Sequence, residues 1–118
     1  MHRRPLFFAV ALSGLLLILH LWFLGDFYYW QYRWIDNPMH VLGGAALGTF
    51  LLAFISPRRA TLYLATIFAL TVAWEVFEYV AGISTNQPQY WIDTIKDIAN
   101  GVVGSCIPLY IAQLNLKN

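Results

Sequence analysis

The chain has 118 residues, of which 59% are hydrophobic and 11% charged, and its formal net charge is +1. That length supports one domain, and the balance is far from that of a soluble one, so the composition places the chain in a bilayer. It argues against nucleic acid as a partner, which needs a concentrated basic face, and a lone cysteine, Cys106, rules out an intrachain disulfide or a CxxC-type zinc or redox site.

The N-terminus places Arg3 and Arg4 ahead of the run LFFAVALSGLLLILHLWFLG. The run is longer than the apolar part of a secretory signal, and GDFYYWQ follows it instead of a small-x-small cleavage site. An uncleaved first span over residues 5–25 is expected, with Ser13 as a packing group and His20 as a hydrogen-bonding residue near its end. Next, FYYWQYRW is expected to form an interfacial belt or a short surface helix in preference to a substrate-stacking platform.

Three further spans are expected, over residues 38–55, 60–82 and 91–114, because lipid leaves a backbone of this length no choice but helix. At the second, Asp36 and His40 stand four residues apart, and the same line runs on through Gly44 and Gly48, a GxxxG pattern that permits close helix approach. That pattern serves a dimer as readily as packing within the chain. The third span carries Thr71, Glu75, Glu78 and Gly82 on one seam. The fourth opens with Asp93, Asp97 and Asn100 on one stripe, with Gly101 and Gly104 beside it, and Pro108 is expected to bend it.

Arg3, Arg4, Arg58, Arg59 and Lys117 fall at one set of ends, so both termini are expected in the cytoplasm of a bacterial inner membrane. The aromatics, from Trp22 to Trp34 and at Tyr90 and Trp91, gather at the opposite ends. With a rise of ~1.5 Å per residue, His40, Glu78 and Asp97 lie roughly 5–8 Å inside those outer ends, and Glu75 and Asn100 a turn deeper. The expected architecture is an all-α, integral-membrane four-helix bundle with four polar seams facing one interior.

Carboxylates crowded into such a layer cannot all ionise unless some keep protons or a cation neutralises them. The donors Asp36, Glu78, Asp93, Asp97 and Asn100 suit a divalent metal cation such as Mg²⁺, Mn²⁺ or Ca²⁺, and His40 extends the choice to Zn²⁺ or Fe²⁺. A metal there could polarise a phosphoryl or acyl oxygen or activate water, with His40 or Glu75 as general base, making a membrane hydrolase or transferase. Asp36 and Asp93 serve equally as helix caps. Two alternatives stay open: a proton- or cation-coupled transporter or channel component, and a structural subunit whose buried polar pairs fix helix register.

The motifs D36-N-P-M-H40-V-L-G-G, W74-E75-V-F-E78-Y and D93-T-I-K-D97-I-A-N100-G-V-V-G104, in that order, resemble the VanZ-like group of small bacterial membrane proteins and the related YjdF-like inner-membrane family. The resemblance covers about residues 36–105 and places Asp36, His40, Glu75, Asp97, Asn100, Gly101 and Gly104 on family-like positions. VanZ-like proteins are associated with resistance to the glycopeptide teicoplanin. The resemblance therefore implies the outer face of the membrane and an envelope lipid or lipid-linked partner, with homo-oligomerisation open.

Overall fold

The computed structural model describes residues 3–82 and 89–116; most of the expected third connector, residues 83–90, lies outside them. The described residues form helices and turns without a strand, which bears out the all-α class. Helix α1 (Arg3–Gly25) is followed by the single-turn α2 (Tyr28–Gln31), a 3₁₀ turn (Arg33–Ile35), α3 (Asp36–Leu51), α4 (Ala60–Ala81) and α5 (Tyr90–Leu114).

Local chemistry explains these limits. Pro5 and Pro38 sit in first turns, where a missing N–H costs nothing. Beyond Leu51 the chain keeps coiling, with Leu52 N–H donating to the Gly48 carbonyl and Ile55 N–H to that of Leu51. Helix α4 ends at Gly82, whose φ of +71° is the left-handed conformation that glycine adopts most easily. Gly82 thus serves as a cap at the exposed end of its seam.

Helix α3 is the central element. It packs against α1 on one side and α5 on the other, while α4 lies against α5 with a smaller contact to α3. The α3–α5 crossing brings backbones together. A Cβ on Gly44 would collide with the Gly101 carbonyl, and one on Gly104 with the Val41 carbonyl. One on Gly48 would meet the Tyr63 hydroxyl and, at 3.1 Å, the Ser105 Cα. The small residues of the second span are therefore used within the chain, against the small residues of the fourth.

Toward the C-terminal end of α3, Leu51, Leu52, Tyr63, Ile67 and Leu109 form an apolar core. The Tyr63 hydroxyl, wholly buried, donates to the Ser105 carbonyl at 2.8 Å and ties α4 to α5. Pro108 lies one turn on, so the Gly104 carbonyl loses its helical donor beside this anchored point.

Residues Arg4–Gly25 and Ala60–Ala81, with mean hydropathy 2.3 and 1.6, are long and apolar enough to cross a membrane. Helix α3, at 16 residues, is shorter, and α5 carries Asp93, Lys96 and Asp97 near its start. The surface is unusually apolar. Phe7 is 71% exposed and Val80 79%, whereas Glu75, Asp97 and Ser105 are buried.

Candidate metal centre

Helix periodicity and the glycine crossing together assemble the site. Asp36 and His40 are one turn apart on α3, and Asp97 sits on the face of α5 that Gly101 and Gly104 press against α3. His40 Nε2 lies 3.6 Å from Asp36 Oδ1 and 3.7 Å from Asp97 Oδ1. These separations are too long for hydrogen bonds. One ligand atom from each of Asp36, His40 and Asp97 lies within 4.8 Å of the other two, so the cluster could hold a metal ion.

Burial grades across the cluster. The Asp36 side chain is 39% exposed, that of His40 20% and that of Asp97 7%, so the approach is from the Asp36 side. At the deep end, Asp97 Oδ1 is buried with no hydrogen-bond partner. An unpartnered carboxylate oxygen is costly to bury, and a cation beside it would remove that cost. Asp36, ahead of the expected second span, is held above the ordinary carboxylate range by burial; His40 opposes the effect and the Asp93 charge adds to it.

Fit to a metal follows from the donor set. Two carboxylate oxygens and one imidazole nitrogen are a mixed hard and borderline set, suited to Zn²⁺, Mn²⁺ or Fe²⁺. Donors ~2.1 Å from a tetrahedral ion stand roughly 3.4 Å apart, so the two His40–carboxylate separations are already close to that spacing, while Asp36 and Asp97 stand within 4.8 Å of each other. Three protein ligands leave coordination positions for water or substrate.

The other expected site residues have different neighbours. Glu78 accepts a 2.7 Å hydrogen bond from Trp74 Nε1 on its own helix. Asp93 accepts one of 2.7 Å from Lys96 Nζ. Asn100 donates to Asn37 Oδ1 at 2.9 Å, a bridge between α5 and α3 directly beside the cluster. Glu75 is 6% exposed and within electrostatic range of Glu78, Asp97, His40 and Asp36, on the buried stripe of α4 that includes Tyr63, Ile67 and Thr71. His40, expected as a general base, stands among the ligand atoms, which leaves Glu75 as the buried carboxylate beside them.

Among the described residues, α3 and α5 carry the clustered ligand atoms and α4 carries Glu75. The side of α1 turned to α3 carries Leu6, Ala9, Leu12, Leu16, Leu19 and Phe23, while Ser13 is exposed. His20 Nδ1 is 2.9 Å from the Tyr29 hydroxyl, the hydrogen-bonding role expected of it, and the ring is within electrostatic range of Asp36. Asn37 also belongs beside the site, although helix spacing alone does not place it there. Its position next to Asp36, facing an amide one turn beyond Asp97, is the signal that could have paired it with Asn100. No protein-family model, curated protein or solved structure matches the chain.

Proposed function

We propose that the chain is a four-span inner-membrane protein of the VanZ-like and YjdF-like kind, with both termini cytoplasmic and an outward-facing metal centre acting on an envelope lipid or lipid-linked headgroup. The observation that carries the proposal is Asp97 Oδ1, buried without a hydrogen-bond partner at the deep end of the Asp36–His40–Asp97 cluster. The apolar exterior supports the bilayer, since a chain that buries Glu75 and Asp97 while exposing Phe7, Val80 and Ile95 inverts the usual polarity.

Asp36, His40 and Asp97 would hold a divalent cation, which when bound supplies Lewis-acid polarisation of a phosphoryl or acyl oxygen and acidifies water. Glu75 accepts the proton of the attacking water or hydroxyl from the α4 side. The Asn37–Asn100 bridge keeps the two ligand-bearing helices in register. Asp36, as the exposed member, faces the entering headgroup. A hydrolase or transferase is favoured over a transporter because Leu51, Leu52, Tyr63, Ile67 and Leu109 fill the interior on the cytoplasmic side of the site with apolar side chains.

The test is elemental mass spectrometry of the detergent-purified protein, wild type beside Asp97→Asn and His40→Ala. Near-stoichiometric metal in the wild type and loss in both variants is expected. Absence of metal from the wild type after Mg²⁺, Mn²⁺, Fe²⁺ and Zn²⁺ have been added back would overturn the metal centre and return the carboxylates to proton-relaying or structural roles.

A further inference from the structure

The C-terminal part of α1, the aromatic connector and the first turns of α3 enclose an apolar groove of about 490 Å³, lined by Trp22, Phe23, Tyr28, Trp34, Met39 and Leu42 among others. Its aromatic wall is continuous. The Trp22 and Tyr28 rings are 6.3 Å apart, Phe23 and Tyr28 5.9 Å, and Tyr28 and Tyr32 5.9 Å. The volume falls in the ~300–1,000 Å³ range of sites that take one small ligand. A second copy's helix, ~10–12 Å across, would need a far wider trough.

The groove and the acidic cluster share one helix. At ~100° per residue, Pro38 and Leu42 project from the side of α3 turned away from Asp36 and His40, and Met39 from the flank next to Asp36, so the groove wraps from the far side of α3 to the edge of the cluster. The connector runs between them. Tyr32, Trp34 and Ile35 line the groove, whereas Arg33, between them in sequence, lies within electrostatic range of Lys96 on α5, and Lys96 in turn is bonded to Asp93. An apolar slot therefore adjoins a rim carrying two cations and the metal-ligand cluster.

Resting on the metal-centre proposal, we infer that this groove seats the hydrocarbon chain of a single phosphate-bearing lipid, whose headgroup reaches past Arg33 over the first turn of α3 toward Asp36, His40 and Lys96. The substrate class is then an amphiphile with an anionic phosphate head. The phosphate supplies the oxygens that a cation with open positions accepts, and the chain supplies the apolar area that the aromatic wall is built to cover.

The experiment uses the full chain in detergent micelles, with hexadecyl phosphate as probe and hexadecanol and inorganic phosphate as comparators. Binding is read by native mass spectrometry, with bound metal measured on the same samples. Leu19→Trp from α1 and Leu42→Trp from α3 each fill the groove, and Arg33→Gln removes charge from its rim. Saturable one-to-one binding of hexadecyl phosphate is expected, with affinity about tenfold lower in both groove-filled variants and in Arg33→Gln while their metal content stays at the wild-type level. Hexadecanol should bind more weakly than the phosphate. Equal binding by the wild type and both groove-filled variants, or no preference for the phosphate over the alcohol, would identify annular lipid only and overturn the inference. If the wild type holds no metal yet loses hexadecyl phosphate when the groove is filled, the metal centre fails and the chain-binding groove stands.

Discussion

Gly44 on α3 and Gly101 on α5 meet backbone to backbone, and the contact fixes how far His40 stands from Asp97. The ligand-bearing helices are held by main-chain atoms that have no rotamers to adjust. Gly44→Ala and Gly104→Ala each drive a methyl into a carbonyl of the facing helix, at a cost at or above the upper end of the ~1–3 kcal/mol range for overpacking. Thermal unfolding in detergent should show the loss. Bound metal should fall in the same variants even though no ligand is changed.

Asp97→Asn separates function from stability. Removing a buried negative charge whose oxygen has no partner should stabilise the metal-free protein by about 1 kcal/mol or more, because the neutral amide is cheaper to bury. The same change should abolish metal uptake. Melting temperatures with and without added cation check both, and a variant that is less stable when metal-free would remove the case for an uncompensated carboxylate.

The pH dependence has a definite sign. Burial raises Asp36 in the folded state, so its contribution to metal-free stability is fully present below the unfolded value of ~3.9 and is lost as pH rises through the higher folded value. The cation requires the deprotonated carboxylate and reverses the trend. Melting curves between about pH 4 and pH 8 should therefore fall with pH in the presence of a chelator and rise with pH in saturating metal.

Tyr63→Phe tests the anchor on the opposite side of the glycine crossing. It removes the hydroxyl that donates to the Ser105 carbonyl and leaves the ring in place, so a loss of about 1 kcal/mol is expected. Equilibrium unfolding would measure it. Metal content should not change, because the hydroxyl is on the apolar side of the crossing.

What could be read in the sequence was what helix periodicity controls. Asp93, Asp97, Asn100, Gly101 and Gly104 share a stripe by spacing alone, and the stripe is the face of α5 turned inward. The line from Asp36 through His40 to Gly44 and Gly48 was readable for the same reason. Pairing between helices was not. Period fixes which residues share a face and says nothing of which neighbour that face meets, so spacing predicts a hydrogen-bonding His20 but not that its partner is Tyr29 of the connector. Glu78 and Asp93 illustrate a second limit. Each has a hydrogen-bond partner three or four residues away on its own helix, a local pairing that composition does not reveal.

Asp36 and His40 belong to α3 and Asp97 to α5, with the whole of α4 between them. During synthesis at ~5–20 residues per second, the roughly 60 residues from His40 to Asp97 take several seconds to emerge. For that interval Asp36 and His40 stand in the growing chain without the third member of the cluster. Only when the last helix docks, glycine against glycine, does the third ligand arrive. Under the proposed metal centre, cation capture would then be a late event of biogenesis, and a chain truncated before α5 would hold none.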